Sequence, residues 1–287
     1  MLEVLAAGPL TTIQDLGRPG YAHLGVPRSG ALDEPALRAA NRLVGNEPGA
    51  AGLEITLTGC RLRLRRAATV AVAGAPAPVR VDGAEAGFGE PVGVNTGSTV
   101  HIGRCIRGVR SYFAIGGGID VPPVLGSRST DTLSGLGPEP LRDGDLLPFG
   151  AGGVTADTPS TVELSNTPST VELRIRPGPR EDWFTGDAWD RLCGNRYQLS
   201  PLSNRVGARL AGPALTRAVA GELPSEGLVL GAVQVPADGQ PLVFLADHPT
   251  TGGYPVIGVV HPADLPLLAQ ARPGASVVFH GPERGPG

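Results

Sequence analysis

The sequence predicts a mainly β protein with few short helices. Three observations carry this prediction. Apolar and polar residues alternate with period two in several short segments, Gly (43) and Pro (29) punctuate the 287-residue chain, and charged residues make up only 18% of it. A hydrophobic content of 41% argues against disorder despite the many glycines and prolines. Turn-rich β structure accommodates all of these properties together.

Short alternating segments predict most of the strands. Residues 61–65 read R-L-R-L-R, which places every second side chain on the same face. Residues 79–81 alternate as well and run into Asp82-Gly83, a strong signal for a hairpin turn. Continuous apolar runs instead predict strands buried on both faces. Further alternating segments are 69–72, 99–102 and 171–176, and the continuous runs are 242–245 and 256–260.

Three helices are predicted. The first begins after Asp33, which is a favourable N-cap residue, carries Pro35 in its first turn and ends before Gly45. Asn41 lies on the apolar stripe of this helix, so its amide is expected to be buried and hydrogen-bonded. Those hydrogen bonds serve either a ligand or the neighbouring backbone, and both interpretations stay open. The other two helices are predicted near 187–193 and at 264–271.

A repeated heptapeptide marks the predicted boundary between two subdomains. The sequence T-P-S-T-V-E-L occurs at 158–164 and again at 167–173. Because a tandem duplication persists where an insertion is tolerated, this stretch predicts an exposed linker. The predicted organisation is an N-terminal β subdomain at 1–155, a linker at 156–170 and a C-terminal β subdomain at 171–287.

Composition excludes several classes of function. All 24 basic residues are arginine, so a Walker A loop, a pyridoxal Schiff base and a Ser-Lys dyad are ruled out. Three isolated cysteines and five dispersed histidines signal neither a disulfide framework nor a zinc site. A net charge of −3 without lysine predicts no nucleic-acid partner. With no leader-like start and no 18-residue apolar run, we expect no membrane partner and a cytoplasmic location.

Four loops punctuated by glycine or proline carry most of the candidate functional side chains. The first of them places Gln14, Asp15, Arg18 and Tyr21 within eight residues. Glycine and proline fix an irregular backbone, and a loop fixed in this way commonly holds its side chains for a ligand. The same style recurs at 116–120, 126–130 and 247–254. Together the four loops predict a composite site.

In their order and spacing, these loops and several shorter motifs resemble a known family over about residues 2–281. The motifs are T-T-I-Q-D-L-G-R at 11–18, S-G-A-L-D at 29–33, A-N-R-L-V-G-N at 40–46, G-G-I-D at 117–120, G-S-R-S-T at 126–130, R-V-G-A-R-L at 205–210, Q-V-P-A-D-G at 234–239 and T-T-G-G-Y-P at 250–255. They resemble the C-subunit family of bacterial 5-oxoprolinase, also labelled allophanate hydrolase subunit 2, which is similar to part of the carboxyltransferase domain of urea carboxylase. The chain departs from the family pattern at Asn204, where Asp is usual, and at Glu139, where Arg is usual.

The resemblance implies a cyclophilin-like β-barrel architecture in two tandem subdomains. It also implies a role in the ATP-dependent opening of 5-oxo-L-proline to L-glutamate, with Mg²⁺ accompanying the ATP. The implied partners are a B subunit of related fold (KipI- or PxpB-like) and an A subunit (PxpA-like). Two alternatives stay open. One is a biotin-dependent carboxyltransferase component acting on urea or a small amide, and the other is a non-catalytic regulatory partner of a kinase inhibitor of the KipI type.

The chemistry of lactam opening guides the choice of site residues. Activating the lactam oxygen with ATP develops negative charge, and a lysine-free protein must stabilise that charge with arginine, Mg²⁺ or backbone amides. We predict that Asp15, Arg18, Asp120 and Arg128 are catalytic, and we leave the metal ligands open. The predicted substrate-binding residues are Gln14, Tyr21, Asn41, Arg205, Arg209, Gln234, Thr250, Thr251 and Tyr254.

Structural roles are the alternative for several of these residues. Each arginine alternatively forms an ion pair that braces its loop. The glycines at 116–118 either present N–H groups to an oxyanion or form a tight bend between strands. His248 is either a general base or a structural residue at a strand end. Glu54 is predicted to tie two strands together.

Overall fold

The structure, a computed structural model, describes residues 1–152, 161, 169–221 and 223–282. It divides into two compact units: unit 1 comprises Met1–Arg18 and Ser29–Asn166, and unit 2 comprises Pro19–Arg28 and Thr167–Gly287. Residues 19–28 therefore group with unit 2, although the predicted N-terminal subdomain contains them. Of the predicted linker at 156–170, only residues 161, 169 and 170 fall within the described part of the chain. The linker and the exact subdomain bounds therefore stay predictions.

Unit 1 contains two antiparallel sheets. Its strands are β1 (Leu2–Ala6), β2 (Thr11–Gln14), β3 (Gly52–Thr56), β4 (Cys60–Leu64), β5 (Ala68–Gly74), β6 (Val79–Val81), β7 (Ala84–Ala86), β8 (Val92–Val94), β9 (Thr99–Ile102), β10 (Arg110–Ile115) and β11 (Leu146–Leu147). One sheet has the order β11-β1-β4-β9-β6-β7 and the other the order β2-β3-β10-β5-β8. Apolar side chains of both sheets form one buried cluster.

The alternation in the sequence corresponds to the two faces of these strands. In β4, Cys60, Leu62 and Leu64 are buried, whereas the two intervening arginines are exposed. The hairpin between β6 and β7 turns at Asp82-Gly83, where both residues have positive φ (50° and 86°). Positive φ at both central positions is the geometry that a two-residue hairpin with right-handed strand twist requires. The predicted turn is thereby confirmed.

In the described part of unit 1 one helix, α1 (Glu34–Leu43), covers the second sheet. It is capped by Asp33, whose side chain accepts a hydrogen bond from the backbone N–H of Ala36 (3.1 Å). The buried side chains of Leu37 and Ala40 pack in one cluster with alanines of β5 and β10. The predicted cap and the predicted end of this helix are both confirmed.

A buried polar network joins β3, β10 and the start of α1. The Tyr112 hydroxyl donates to Glu54 Oε2 (2.8 Å) and accepts from the backbone N–H of Asp33 (2.8 Å). Glu54 Oε2 also accepts from the N–H of Leu32 (2.9 Å), and Arg110 Nε lies 3.4 Å from Glu54 Oε1. Burial, reinforced by the charges of Glu54 and Asp33, raises the pKa of Tyr112 well above its usual range. Glu54 ties two strands together, as predicted.

Unit 2 is a closed barrel of seven strands in the order β12-β19-β16-β17-β14-β13-β20, with β15 and β18 as a separate pair. The strands are β12 (Thr170–Pro177), β13 (Arg196–Leu199), β14 (Gly207–Ala211), β15 (Glu226–Gly227), β16 (Ala232–Gln234), β17 (Leu242–Phe244), β18 (Thr251–Gly252), β19 (Val256–Val260) and β20 (Ser276–His280). The last strand, β20, pairs in parallel with β12 and antiparallel with β13, which closes the barrel. The mainly β fold with a barrel is confirmed.

The helices of unit 2 are short. They are α2 (Ala188–Gly194) and α3 (Leu265–Ala269), and single 3₁₀ turns lie at Ala22–Leu24, Glu181–Trp183 and Pro262–Asp264. The helix predicted at 264–271 is therefore shorter than expected, and a 3₁₀ turn precedes it. In the described part of the chain, no helix has the length and apolar character needed to cross a bilayer.

We expect Tyr112→Phe to lower the free energy of unfolding by about 1–3 kcal/mol, because it leaves the buried Asp33 N–H and the Glu54 carboxylate without their shared partner. Urea denaturation measures this change. The matched control is Tyr254→Phe, since the Tyr254 side chain is 45% exposed, and its effect should stay within about 0.5 kcal/mol.

The same tyrosine predicts a pH dependence. Its folded-state pKa is raised, so its contribution to stability is fully present below the unfolded-state pKa of about 10 and is lost as the pH rises through the folded-state pKa. Above about pH 10 the unmodified protein should therefore lose stability more steeply than Tyr112→Phe. Parallel alkaline profiles would contradict the assignment.

Candidate functional site

The Asp15 carboxylate is the centre of a polar cluster in unit 1. Its Oδ1 accepts hydrogen bonds from Ser127 Oγ (2.6 Å), Ser129 Oγ (2.6 Å) and the N–H of Gly17 (2.8 Å). Its Oδ2 accepts from the N–H of Arg128 (2.6 Å). Four donors thus surround one carboxylate, and Asp15 fastens the loop at 126–130 to its own loop. The structure places this predicted catalytic residue in a loop-fixing position.

Arg18 extends the cluster into the interior. Its side chain is 1% exposed, and its guanidinium donates to the backbone carbonyls of Ser129 and Val124. Gly137 lies against this contact with φ +83°, and a Cβ there would overlap the Ser129 carbonyl oxygen. A side chain at position 137 is therefore excluded both by backbone conformation and by space. Through these two hydrogen bonds, Arg18 holds the loop at 126–130 in place from its buried side.

Gln14 makes a third contact to the same loop. Its side chain is fully buried, and Nε2 donates to the Thr130 carbonyl (3.0 Å) and to Thr12 Oγ1 (3.0 Å). Because a carbonyl oxygen accepts only, this contact fixes which end of the amide carries the nitrogen. Of the predicted site residues, the structure therefore brings Gln14, Asp15 and Arg18 together with the loop that carries Arg128.

Arg128 and Asp120 form the exposed part of this cluster. Arg128 Nη2 lies 2.8 Å from Asp120 Oδ1, with side-chain exposures of 34% and 60%. Arg128 Nε donates to the Val121 carbonyl (2.7 Å). Nη1 makes no hydrogen bond to any residue that the structure describes. Arg128 is thus held at two points, and its Nη1 is not engaged by any described residue.

Asn41 makes backbone contacts elsewhere in unit 1. It is fully buried, its Nδ2 donates to the Ala50 carbonyl (2.7 Å), and its Oδ1 accepts from Asn46 Nδ2 (3.0 Å). Asn46 Oδ1 in turn accepts from the N–H of Gly117 (2.8 Å). This is the structural alternative for Asn41, and its predicted substrate-binding role stays a prediction.

The glycines at 116–118 form a tight bend. The N–H of Gly116 donates to the Thr69 carbonyl and that of Gly118 to the Ile115 carbonyl, both at 2.8 Å. With the N–H of Gly117 bound to Asn46 as well, all three donors are engaged within the protein. The oxyanion interpretation of this segment is wrong for the structure described.

Tyr21 lies in the segment at 19–28, which groups with unit 2. It immediately precedes the 3₁₀ turn at Ala22–Leu24, and its carbonyl accepts from the N–H groups of Leu24 (2.9 Å) and Val26 (3.3 Å). Its side chain is half-buried. A substrate contact by Tyr21 stays a prediction.

In unit 2, Arg205 and Asp247 form a buried bidentate ion pair. Nε and Nη2 of Arg205 each lie 2.9 Å from an oxygen of Asp247, and the side chains are 1% and 0% exposed. The adjacent Asn204 Oδ1 accepts from the N–H groups of Val206 (2.9 Å) and Gly207 (3.2 Å). An amide oxygen accepts these bonds as a carboxylate oxygen would, so the departure at Asn204 keeps the local turn.

Gln234 and Arg209 share the outer face of the barrel, because each lies directly opposite Leu242 in the ladders of β16, β17 and β14. Gln234 is buried beneath the loop at 250–254, and its Nε2 donates to the Tyr254 carbonyl (2.9 Å). The guanidinium of Arg217 lies over the Tyr254 ring at 5.5 Å from its centroid. Arg209 itself is exposed.

The loop at 247–254 has both buried and exposed members. Thr250 is half-buried and Thr251 is exposed at the start of β18. His248 Nδ1 lies 2.7 Å from the Pro249 carbonyl oxygen, and its ring lies 6.0 Å from that of Phe244. His248 therefore has the contacts expected of a structural residue at a strand end.

A cavity of about 520 Å³ also lies in unit 2, between residues 214–221 and 237–239. Apart from Arg217, Thr216 and Asp238, its lining is alanine, glycine, leucine and valine. None of the predicted site residues lines it. Among the residues described, no group of three or more His, Cys, Asp or Glu side chains is placed to hold a metal ion.

Comparison with known proteins supplies the family. The carboxyltransferase domain family, subdomains A and B, matches residues 24–281. The chain belongs to this family. Among its relatives is the C subunit of 5-oxoprolinase from Escherichia coli, which is 41% identical over 97% of this chain and 90% of that protein.

Longer relatives and a solved structure agree with this assignment. The urea amidolyase of Saccharomyces cerevisiae is 35% identical over 97% of this chain, which spans only 16% of that protein. The crystal structure of the K. lactis urea amidolyase superimposes with a TM-score of 0.89 at 31% identity, covering 97% of this chain and 18% of the other. The fold of this chain therefore also occurs as one domain within much larger proteins.

Sequence reasoning missed several residues of the polar cluster. Ser127 and Ser129 donate to Asp15. They flank Arg128 in the motif G-S-R-S-T, of which only the arginine was predicted to be a site residue. The serine on each side of Arg128 was the signal in the sequence that could have identified these donors. The cavity in unit 2 carried no such signal, because a lining rich in alanine and glycine is indistinguishable from an ordinary loop.

We expect Asp15→Asn to lower the free energy of unfolding by about 1–3 kcal/mol, because an amide cannot accept from four donors with both of its heavy atoms. Urea denaturation with limited proteolysis at residues 124–130 measures the loss and its location. Asp120→Asn is the matched control, and as half of an exposed ion pair it should change stability by about 0–1 kcal/mol. Equal effects would show that Asp15 does not fix the loop.

We expect Asp247→Asn to lower the free energy of unfolding by about 3–5 kcal/mol, since it leaves the buried Arg205 charge without its carboxylate. Thermal and urea unfolding both report this loss. Asp187→Asn serves as the control, because its ion pair with Arg191 is exposed on both sides and its loss is expected to leave stability nearly unchanged. A small effect at Asp247 would mean that the ion pair is not the anchor of its loop.

Proposed function

We propose that this chain is the C subunit of a heteromeric, ATP-dependent 5-oxoprolinase, which opens the lactam of 5-oxo-L-proline to L-glutamate together with A and B subunits. The observation that carries the proposal is the 41% identity to the C subunit of the E. coli 5-oxoprolinase, over 97% of this chain and 90% of that protein. The match extends over nearly the whole of both chains, which favours the same division of labour between subunits.

The chemistry of the proposal needs a cation near the lactam or phosphate oxygen. An amide carbonyl is poorly reactive, and phosphorylation of its oxygen by ATP turns that oxygen into a leaving group. Arg128 suits this step, because Nη1 has no protein partner among the described residues while Nε and Nη2 are fixed. A pre-positioned donor of this kind stabilises charge that develops in the transition state without reorganising. The family resemblance implies that ATP, accompanied by Mg²⁺, is the phosphoryl donor.

A second candidate is biotin-dependent carboxyl transfer to urea or a small amide. The observation in its favour is the similarity to urea amidolyases, at 35% identity in sequence and a TM-score of 0.89 in structure. The chain spans less than a fifth of either of these proteins, so their activities belong to much longer molecules. Both candidate reactions act on a poorly reactive amide group, at its carbonyl in lactam opening and at its nitrogen in carboxyl transfer.

The direct test is reconstitution with the A and B subunits. We expect glutamate to form from 5-oxo-L-proline with consumption of ATP, and no turnover without this chain. A parallel assay with urea, bicarbonate and a biotinylated carrier protein tests the second candidate. Carboxylation there, with no lactam opening in the first assay, would replace the leading proposal by the alternative.

In the reconstituted enzyme we expect Arg128→Ala to lower kcat by about 10²–10³-fold, the loss typical of removing one transition-state donor. Arg80→Ala is the matched control, because Arg80 is an exposed arginine of unit 1 outside the polar cluster, and it should keep full turnover. Size-exclusion chromatography must show both complexes intact. If Arg128→Ala instead dissociates the complex, the loop is a protein interface, as the regulatory alternative requires.

A further inference from the structure

Four buried side chains of unit 1 each keep one polar atom without a partner. These atoms are Gln14 Oε1, Arg18 Nη1, Thr130 Oγ1 and Asp131 Oδ2, and none has a hydrogen-bond partner in the part of the chain that the structure describes. The four residues are at most 2% exposed. A buried polar atom that lacks a hydrogen bond destabilises the folded state, and more so when it is charged. Native interiors rarely leave such atoms unpaired, so a partner is required.

Backbone contacts place three of these side chains in one neighbourhood. Gln14 Nε2 donates to the Thr130 carbonyl (3.0 Å), and the N–H of Thr130 donates to the Ile13 carbonyl (2.9 Å). Arg18 Nη2 donates to the carbonyl of Ser129, the residue before Thr130. Backbone and side-chain hydrogen bonds therefore join the segments at 13–18 and 129–130.

The loop that follows brings in the fourth side chain. The N–H of Asp131 donates to the Leu136 carbonyl (2.9 Å), which folds the loop back on itself. Gly137, the next residue, lies so close to Arg18 that a Cβ there would come within 3.1 Å of Nη2. The turn that begins at Asp131 thus ends against the guanidinium, which places the Asp131 segment beside Arg18.

Arg18 and Asp131 carry opposite charges, and no ion pair joins them. Arg18 makes its hydrogen bonds to two backbone carbonyls and forms no ion pair with a described residue. Asp131 Oδ1 accepts from the N–H groups of Leu133 (2.9 Å) and Ser134 (3.0 Å), which leaves Oδ2 for another donor. Arg18 and Asp131 are thus a buried cation and a buried carboxylate that share no hydrogen bond. An intermediary that both accepts and donates hydrogen bonds can satisfy Arg18 Nη1 and Asp131 Oδ2 together.

The unpaired atoms define the chemistry of that intermediary. Arg18 Nη1 only donates, Gln14 Oε1 and Asp131 Oδ2 accept, and the Thr130 hydroxyl does both. A metal ion is disfavoured by the guanidinium and an anion by the carboxylate. A lactam is too large for atoms closed off from solvent in a packed interior. Water matches the set, since buried waters typically make about three hydrogen bonds to otherwise unsatisfied groups.

We propose that Gln14, Arg18, Thr130 and Asp131 form an internal site for ordered water, which bridges Arg18 Nη1 to Asp131 Oδ2 in a water-mediated ion pair. Asp131 is thereby a positioning residue for Arg18, and through it for the loop at 126–130. This inference stands independently of the proposed function, because it concerns the ground-state structure of unit 1 alone.

A high-resolution crystal structure of the full chain tests the site directly. We expect electron density for at least one water within about 2.7–3.2 Å of both Arg18 Nη1 and Asp131 Oδ2. A direct contact between these two side chains, or an interior with no density between them, would overturn the proposal. This test needs no variant and therefore does not depend on the folding of one.

A double-mutant cycle tests the coupling. Asp131→Asn keeps Oδ1 as the acceptor for its turn and removes the charge, and Arg18→Gln removes the opposing charge. We expect the two losses in Tm to be clearly non-additive, with the double variant less destabilised than their sum. The control cycle pairs Arg18→Gln with Asp143→Asn, an exposed carboxylate that accepts from the N–H of Ala7 (2.8 Å), and should be additive. Additivity in both cycles would contradict the water-mediated ion pair.

Discussion

The rest of unit 1's candidate site depends on one carboxylate. Asp15 gathers four hydrogen-bond donors, three of them from residues 112–114 positions away along the chain. Bringing such distant segments together costs loop-closure entropy, which local interactions cannot offset. A charged acceptor with several donors supplies the strong hydrogen bonds that offset it. Arg128 is positioned as a by-product, because its own backbone N–H is one of the four donors and its side chain is left at the surface.

Arginine has two separate uses in this lysine-free chain. Arg18 and Arg205 are buried and have structural contacts. Arg18 donates to backbone carbonyls, and Arg205 forms an ion pair with Asp247. Arg128 and Arg209 keep nitrogen atoms at the surface. A planar guanidinium with five donors suits both uses, since it satisfies several acceptors in fixed directions and stays charged when enclosed. Of these four arginines, Arg128 and Arg209 are therefore the ones that solvent reaches, whereas Arg18 and Arg205 each hold a segment of their own unit in place.

Local features were predictable and long-range partners were not. The cap at Asp33, the turn at Asp82-Gly83 and the alternating strands follow from residues within one element or one turn. Glu54 was also predictable, because a carboxylate after an apolar run must find buried donors. By contrast, nothing local distinguishes the buried Arg18 from the partly exposed Arg128, since each lies in a glycine-punctuated loop. Their difference arises from which distant segment packs over each.

The closure of the barrel has a consequence for biosynthesis. Because β20 pairs with both β12 and β13, the last of the seven strands to be made supplies the seam between two made far earlier. Until residues 276–280 have left the ribosomal exit tunnel, both of those strands present unpaired edges, which invite association with other chains. Fusions or truncations near this strand therefore act on solubility during synthesis, before any mature protein exists to be assayed.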